Sequence, residues 1–426
     1  MEATKKDFSG FHRLNITERL QRVEEESGLS SSKQELLQNF GGLPSTTADG
    51  MVENVIGVIG VPLGIATNLL LDGRELLVPM ATEESSVIAA VCNAAKQCRS
   101  GGGIVTSVSG TEMIAQLQLL ELQDPEQARL IIIEHREEIR NFCDAIDPVL
   151  VEHGGGFRDI QVHVLETRGG QMLITHLIVD TRDAMGANAV NSMAEALAPE
   201  LERWTGGRIN LRILSNLADR RLARARGVWK LEDIGGKQVR DDILSAFWFA
   251  EADPYRAATH NKGIMNGIAA VALATGNDTR ALEAGAHAYA ARSGQYSSLS
   301  RWECTVEGDL VGTLEMPLAV GLIGGATKVH PVARLALKIL GVNSAEELAR
   351  VIVAVGLAQN FAALKALATT GIQKGHMALH AKNIAMMTDA QGEEVEILVQ
   401  RLVERGTIRI DVAEVELAKL RNKEGL

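Results

Sequence analysis

The stretch GGGFRDIQVHVLETRGGQMLITHLIVDTRDAMGAN, residues 154–188, decides how the middle of the chain folds. Apolar side chains alternate from Arg158 to Glu166, as they do along a strand with one buried face. The pair Gly169–Gly170 predicts a tight turn into a second strand from Met172 to Asp180, and a helix is expected from Gly186 to Trp204. The stretch therefore predicts a β-hairpin followed by a helix.

The segments on either side extend this hairpin into a larger unit. Met113 to Leu122 has the apolar content of a strand, and Asp124-Pro125 predicts the start of a helix that continues to about Ile146. A last alternating strand is expected from Ile209 to Leu214. The order β-α-β-β-α-β is the ferredoxin-like pattern. We predict such a unit over residues 111–216.

The rest of the chain indicates an α+β protein that is rich in helices. Short helices are expected in 15–40, where Asn15 and Glu18 form a capping pattern, and a longer helix in 84–99. Residues 101–110 predict a glycine-bounded strand or loop, 342–370 one or two helices, and 376–426 a helix, turn, helix and short strand. The apolar stretch from Val55 to Leu71 contains three glycines and a proline, so it predicts a buried segment rather than a membrane span.

Composition excludes several classes of function. The net charge of −11 disfavours binding to nucleic acid or to an anionic membrane surface. The four cysteines lack the spacing of a metal site or a disulfide framework, and the polar N-terminus does not resemble a signal peptide. No GxGxxG occurs, so a bound dinucleotide would not use the Rossmann fingerprint. We expect a cytoplasmic protein without a metal.

Two polar segments could carry acid–base chemistry. In Thr82–Ser86, the adjacent Glu83 and Glu84 either act as acids or favour the start of the next helix electrostatically. In Asp253–Gly267, Lys262 lies between small residues and an apolar run. It is either a partly buried lysine that can act as an acid or oxyanion partner, or a solvated loop lysine.

Three further segments leave similar alternatives open. Asp278 follows a glycine turn and is either reactive or a turn aspartate. His376 and His380 share a helix face without an acid to complete a metal site, so one is a functional histidine titrating near neutrality or both are structural. Asp180–Asn188 begins a helix whose free N–H groups could contact a phosphate, or it is only a helix start.

Taken in order, these segments resemble a known family. Glu53–Gly57 (ENVIG), Asp183–Asn188 (DAMGAN), Gly321–Thr327 (GLIGGAT) and Gly375-His-Met are similar to the signature segments of hydroxymethylglutaryl-coenzyme A reductases. DPYRAATHNKGIMNG, residues 253–267, resembles the bacterial, class II branch. The resemblance implies a large catalytic domain formed by 1–110 and 217–371, a ferredoxin-like NAD-binding domain at 111–216 and a C-terminal flap at 372–426.

The resemblance also implies roles for particular residues. The catalytic residues would be Glu84, Lys262, Asp278 and His376. The residues that contact the substrate would be Ser86, Arg256, Asn266, Asn360 and, in a looser match to a coenzyme A phosphate contact, Arg13. The residues that line the nicotinamide cofactor would be Asp147, Asp183, Met185, Gly186, Asn188 and Asn216.

The implied reaction is the four-electron interconversion of (S)-hydroxymethylglutaryl-CoA and (R)-mevalonate, with mevaldyl-CoA and mevaldehyde as intermediates. Lys262, held by Asp278, would stabilise the oxyanion, His376 would protonate the coenzyme A thiolate, and Glu84, with a pKa raised by burial, would act as general acid. Asp147 matches the position of an acid in NAD-preferring relatives, so NAD is expected rather than NADP. The family's active site lies between two chains, so at least a homodimer is expected.

Two rival interpretations remain open from the residues alone. A ferredoxin-like unit can belong to a non-catalytic ligand-sensing protein. Another coenzyme A thioester or aldehyde dehydrogenase would ordinarily use a nucleophilic cysteine, and none of the four cysteines lies in such a motif. The working direction, synthesis or breakdown of mevalonate, does not follow from these residues.

Overall fold

Two β-sheets organise the chain in the computed structural model, which describes residues 10–27, 42–369 and 381–424. The strands are β1 (Leu63–Leu71), β2 (Arg74–Ala81), β3 (Ile104–Val108), β4 (Glu112–Leu120), β5 (Gly156–Thr167), β6 (Gly170–Asp180), β7 (Arg208–Leu214), β8 (Leu222–Trp229), β9 (Ser300–Cys304) and β10 (Leu310–Pro317). A six-stranded sheet has the order β2-β1-β3-β8-β10-β9, and a four-stranded sheet has the order β5-β6-β4-β7. This confirms the α+β class.

Helices make up most of the remaining described chain. They are α1 (Ile16–Ser27), α2 (Ser45–Met51), α3 (Val87–Cys98), α4 (Pro125–Glu134), α5 (Arg136–Ile146), α6 (Pro148–Glu152), α7 (Ala187–Thr205), α8 (Leu231–Ile234), α9 (Lys237–Ala252), α10 (Pro254–Ala274), α11 (Thr279–Ala290), α12 (Gly325–Val329), α13 (Pro331–Leu340), α14 (Ala345–Ala368), α15 (Glu393–Arg405) and α16 (Ile410–Glu424). A 3-10 turn covers Phe11–Arg13, and residues 381–386 are also helical.

The six-stranded sheet packs against α14, which crosses β3, β8 and β10. Trp229 of β8 stacks on Phe361 of α14, with ring centroids 4.5 Å apart, and Trp302 of β9 completes this buried aromatic cluster. By length and composition α14 could cross a membrane, but 67% of its most apolar window is buried inside the protein. It is therefore the core helix of the sheet that it covers.

The four-stranded sheet forms a second unit with its own core. All of its neighbouring strands are antiparallel, and the side chains of Phe157, Leu177, Leu197 and Ile139 are fully buried between the sheet and its helices. The chain runs β4, helices α4–α6, β5, β6, α7 and β7, which is the predicted β-α-β-β-α-β order. Gly170 turns the β5–β6 hairpin with a φ of 99°, a conformation that glycine adopts readily.

The predicted helix from Asp124 to Ile146 is broken in the structure. Asp124 caps α4 by accepting a hydrogen bond from Gln127 N at 3.0 Å, as expected, but α4 ends one residue before His135. The His135 ring stacks on Trp204 with centroids 4.2 Å apart, and its Nδ1 donates to Ile131 O at 2.8 Å. A tertiary contact therefore divides this helix, and neither glycine nor proline marks the break.

The expectation that Val55 to Leu71 is buried is wrong for its first half. Residues 55–62 form no regular structure, and Ile56 and Ile59 are exposed by 104% and 93%. Only β1, which begins at Leu63, enters the sheet. This leaves an apolar strip, residues 52–61, on the surface of a single chain.

The two ends of the chain differ in how well they were predicted. Asn15 and Glu18 form the expected reciprocal cap, with hydrogen bonds of 2.8 and 2.9 Å, and residues 28–41 lie outside the described residues. At the C-terminus the predicted short strand is wrong, because α16 occupies that segment. Residues 381–386, α15 and α16 share a small separate core built on Ala385, Leu398, Leu402 and Leu417.

Candidate active site

An ion pair between residues far apart in sequence is the clearest candidate for a reactive site. Lys262 Nζ donates to Glu84 Oε2 at 2.9 Å. Glu84 lies in the turn between β2 and α3, and Lys262 lies in the middle of α10. Their side chains are 43% and 60% exposed, so one chain alone does not provide the burial that was expected around them. The chain assembles a cation and a carboxylate at an open surface.

Helix α10 presents Lys262 because its other face is anchored. Asp253 caps the helix by accepting from Arg256 N at 2.8 Å, and Lys262 therefore lies in a helix and not in a loop. His260 and Asn261 are buried on the side that packs against β2 and α14. Lys262 therefore projects away from the core, toward the turn that carries Glu84.

Asn360 does not reach this surface. Its side chain is 1% exposed, its Oδ1 accepts from Ser300 Oγ and Trp302 Nε1 at 2.8 Å each, and its Nδ2 lies 3.1 Å from His260 Nε2. Within one chain the predicted substrate contact is thus replaced by a buried network that joins α14 to α10. Burial, and secondly the charge of Arg256, lower the pKa of His260 to about 3, so His260 is neutral.

The other predicted substrate residues fall on or near the open surface. Asn266 lies four residues after Lys262 on the same helix, hence on the same face, and is half-buried. Ser86 lies at the start of α3 with a φ of 74°, two residues from Glu84. Arg256, in the first turn of α10, is half-buried, and burial lowers its pKa. Arg13 lies exposed in the N-terminal 3-10 turn.

Asp278 lies beyond the C-terminal end of α10. Twelve residues of helix separate Lys262 from Ala274, a rise of about 18 Å along the axis. Asp278 caps α11 instead, accepting from Arg280 N and Ala281 N at 2.9 and 3.2 Å. Partial burial pulls the pKa of Asp278 upward, but these bonds and the Arg280 guanidinium outweigh it and lower that pKa. One chain does not place Asp278 where it could hold Lys262.

Among the described residues, Asp278 is linked only through its neighbour to the loop between β6 and α7, residues Thr181–Gly186, here called the 181–186 loop. The neighbouring Asn277 accepts from Gly321 N at 2.8 Å through its Oδ1. Leu322 N donates to Asp183 O at 2.9 Å, and Ala184 forms a parallel bridge with Ile323. The segment after β10 therefore connects Asp278 to the predicted cofactor residues.

The end of the 181–186 loop fits an anionic group. Gly186 has a φ of 101°, and a Cβ there would lie 2.5 Å from the Thr181 side chain. Helix α7 then begins without a side-chain cap and without an acidic residue in its first turn. The first N–H groups of a helix have no partner within the helix and attract phosphate. Asn188, in this first turn, is exposed.

The remaining predicted cofactor residues are divided between structural contacts and open positions. Asp183 Oδ1 accepts from Ala345 N at the start of α14 at 2.7 Å, and Met185 O accepts from Arg221 at 3.2 Å. Asp147 caps the short helix α6 by accepting from Leu150 N at 3.0 Å. Asn216 is exposed in the connection that follows β7.

Arg221 was not anticipated from the sequence. It lies within a charged run, Asp219–Arg226, which is typical of a solvated surface. The structure buries its side chain, with 4% of the residue exposed, against the 181–186 loop. No local sequence signal distinguishes Arg221 from the other arginines of this run.

His376 and His380 lie outside the described residues. The described part of the predicted flap is the small helical core of 381–424. Among the residues that the structure does describe, no group of three or more His, Cys, Asp or Glu side chains could hold a metal ion.

Comparisons with known proteins show the family of the chain. The family described as hydroxymethylglutaryl-coenzyme A reductase matches residues 15–381. A 3-hydroxy-3-methylglutaryl-coenzyme A reductase of Archaeoglobus fulgidus is 55% identical over 413 residues, which cover 97% of this chain and 94% of that protein. A probable reductase of Borreliella burgdorferi is 40% identical, covering 78% of this chain and 77% of that protein.

Solved structures are similar over nearly the full length. A Streptococcus pneumoniae 3-hydroxy-3-methylglutaryl-coenzyme A reductase has a TM-score of 0.83 at 41% identity, covering 97% of this chain and 100% of the other. A class II reductase from the same organism, bound to NADPH in open conformations, has a TM-score of 0.81 at 40% identity, covering 96% and 100%. These similarities do not favour a ligand-sensing protein. The chain belongs to the hydroxymethylglutaryl-coenzyme A reductase family, in its class II branch.

Proposed function

We propose that the Glu84–Lys262 pair is the centre at which this chain interconverts hydroxymethylglutaryl-CoA and mevalonate. The observation that supports this most directly is the 2.9 Å contact between two groups 178 residues apart, each at a position that the family resemblance marks as catalytic. An ammonium and a carboxylate side by side suit a carbonyl that gains a negative charge and then a proton.

Lys262 serves as the group that stabilises the oxyanion. A reduced nicotinamide would supply hydride to the carbonyl carbon, once for the thioester and once for the aldehyde. The ammonium of Lys262, projecting from the anchored α10, then lies beside the oxygen on which charge develops. This interaction strengthens as water is excluded, because the local dielectric falls. The open surface around Lys262 must therefore be covered during reaction.

Glu84 acts as the proton donor for the aldehyde step, within hydrogen-bond reach of the same oxygen. A carboxylic acid performs this task at neutral pH when burial raises its pKa. Glu84 is 43% exposed in one chain, so this role also requires a cover over the site.

The flap and a second chain would provide that cover. His376 is proposed to protonate the departing coenzyme A thiolate, and the separate core of 381–424 is consistent with a flap, 372–426, that moves as a unit. The exposed strip at 52–61 supports assembly into at least a homodimer, because exposed apolar patches of this kind mark protein interfaces. A second chain could also bring its Asp278 to Lys262.

The four-stranded unit, residues 111–216, is proposed to bind the nicotinamide cofactor. The uncapped start of α7 would hold the pyrophosphate, with Asn188 and Asn216 exposed nearby. NAD is proposed as the preferred cofactor because Asp147 would accept from the ribose 2′-hydroxyl and repel a 2′-phosphate. The substrate would bind to the large domain, 1–110 and 217–371, with Arg256 as partner for its free carboxylate. We further propose a cytoplasmic location.

A spectrophotometric assay tests this function. The unaltered chain should oxidise NADH with hydroxymethylglutaryl-CoA and reduce NAD with mevalonate and coenzyme A. Lys262→Ala should lose at least about a hundredfold in kcat in both directions, because an oxyanion partner is removed. Lys338→Ala, a substitution on α13, is the control that should keep its activity. Retention of activity in Lys262→Ala would exclude the proposed site.

A further inference from the structure

Arg221 is a buried cation without a carboxylate in contact with it among the described residues. It lies in the connection between β7 and β8, where the chain passes from the small sheet to the large one. All five of its hydrogen-bond partners are uncharged oxygens: Thr181 Oγ1 at 3.0 Å, Ala184 O at 3.0 Å, Met185 O at 3.2 Å, Arg182 O at 3.3 Å and Val320 O at 2.7 Å.

Four of these oxygens belong to the 181–186 loop. The two terminal nitrogens of the guanidinium share them, so that one rigid planar group fixes several peptide orientations at once. The Met185 carbonyl points at Arg221, and the Gly186 N–H of the same trans peptide must therefore point away from it. Gly186 O then accepts from Val190 N at 3.0 Å and begins α7.

The fifth oxygen, Val320 O, belongs to a second segment, which follows β10, so that Arg221 also contacts this segment. Val320 precedes the segment in which Leu322 N donates to Asp183 O and Ile323 bridges Ala184. Gly321 leaves no room for a side chain, since a Cβ there would lie 2.4 Å from Met185 N. Arg221 thus joins both segments at their contact.

We propose that Arg221 is a positioning residue for the nicotinamide cofactor. It holds the 181–186 loop so that the N–H groups at the start of α7 meet the pyrophosphate. This inference rests on the proposed function of that loop. Burial lowers the pKa of Arg221 to about 10, against the opposing effect of Asp180, Asp183 and Glu346, so the guanidinium is charged at neutral pH.

Removal of the guanidinium would leave the carbonyls of Arg182, Ala184, Met185 and Val320 without this donor in a space that is closed at Val320 and partly buried at the other three. Buried acceptors without a donor are costly, so the loop would shift to reach water or another donor. If the binding geometry is then populated one tenth of the time, the apparent Kd for the cofactor rises about tenfold.

The test compares cofactor affinity with stability in matched variants of the full-length protein. Arg221→Met removes the guanidinium, and Arg221→Lys keeps the charge but cannot span all five oxygens. Arg240→Met is the control, because Arg240 is also buried but bonds to Gly308 O and Asp241, outside the loop. NADH and NADPH binding is measured by nicotinamide fluorescence, KM for hydroxymethylglutaryl-CoA by steady-state assay, and Tm by circular dichroism.

Arg221→Met is expected to raise the Kd of the preferred cofactor about tenfold or more. Arg221→Lys should lie between it and the unaltered chain, and neither should change KM for hydroxymethylglutaryl-CoA more than about twofold. Arg240→Met should lower Tm without changing the cofactor Kd. If Arg221→Met does not fold, an increase in the cofactor Kd of Arg221→Lys supports the proposal, and an unchanged Kd contradicts it.

Three results would overturn the proposal. A Lys or Met variant of Arg221 that folds and binds the cofactor as tightly as the unaltered chain shows that Arg221 does not position the loop. An equal loss of affinity in Arg240→Met shows that general destabilisation is the cause. If the unaltered chain binds neither NADH nor NADPH, the proposed cofactor site itself fails, and this inference fails with it.

Discussion

At the scale of single residues, the Lys262–Glu84 ion pair contributes little to the stability of the fold. Both side chains contact water, and exposed pairs contribute about 0–1 kcal/mol. His260, two residues away and on the buried face of α10, has the opposite character, because its environment holds it neutral within a network that includes Asn360. The helix thus separates a buried, structural face from an exposed face that carries Lys262.

The burial of His260 predicts a dependence of stability on pH. Its folded pKa of about 3 lies below its ordinary value of 6.5, so the unfolded chain binds a proton that the folded chain does not. This contribution to stability is full above pH 6.5 and is lost as pH falls toward 3. Between pH 7 and 5 it should amount to about 2 kcal/mol.

His260→Gln should therefore lose less unfolding free energy on acidification than the unaltered chain, by about this amount, in urea denaturation at the two pH values. The exposed His153→Gln should behave like the unaltered chain. Equal acid sensitivity of the His260 variant and the unaltered chain would show that His260 is not held neutral by burial.

The proposed preference for NAD over NADP depends on Asp147. Asp147→Ala removes a carboxylate that would repel a 2′-phosphate, so the ratio of kcat/KM for NADPH to that for NADH should rise about tenfold, or 1.4 kcal/mol. Because Asp147 also caps α6, Asp124→Ala is the matched control, since it removes the cap of α4 in the same unit. An unchanged ratio in Asp147→Ala would show that Asp147 does not determine the cofactor preference.

At the scale of elements, the start of α10 determines how Arg256 and Lys262 are presented. Asp253→Ala removes the cap that accepts from Arg256 N and should lower the unfolding free energy by about 1 kcal/mol. Asp242→Ala, on the surface of α9, should change it by less than about 0.5 kcal/mol. Urea denaturation of both variants measures the difference, and equal losses would mean that the cap has no special role.

Several elements that local patterns define were predicted from the sequence, and several that depend on distant contacts were not. The hairpin around Gly169–Gly170 and the Asn15–Glu18 cap follow from alternation and spacing, and both are present. The strand β8, with two arginines and a glycine between its ends, lacks the β-branched alternation of a strand and was not anticipated. The break at His135 depends on Trp204, which is distant in sequence.

The residues proposed for the candidate site could be chosen from the sequence, but their arrangement in space could not. Resemblance to a family indicated Glu84, Lys262 and Asp278, yet no local pattern indicates that the first two meet or that the third caps α11 and bonds to Arg280 instead. Asn360 was expected at the substrate and lies in the core. The sequence did not distinguish Arg221 from the other arginines of its run, because burial is a property of the folded chain.

At the scale of the whole molecule, the exposed strip at 52–61 indicates an incomplete surface. Ile56 and Ile59 bury almost no area within one chain, so replacing both with aspartate should leave the fold of that chain intact. In a dimer interface the same charges would be buried without partners. The double variant should therefore sediment as a monomer with unchanged circular dichroism and without activity. An active dimer carrying both substitutions would place the interface elsewhere.

Because Asp278 does not contact Lys262 within one chain, we expect a complete site to take Glu84 and Lys262 from one chain and Asp278 from its partner. Differently tagged Lys262→Ala and Asp278→Ala chains can be co-expressed and the heterodimer purified through both tags. Each variant alone is expected to be inactive. The heterodimer keeps one intact site of two and should show about half the activity of the unaltered dimer.

Pairing Glu84→Gln with Lys262→Ala is the control, because both residues belong to the same half of the site and neither site of that heterodimer is intact. The decisive measurement is the specific activity of these two purified heterodimers. We predict about half activity for Lys262→Ala with Asp278→Ala and none for the control pair. An inactive Lys262→Ala/Asp278→Ala heterodimer, or an active control, would contradict it.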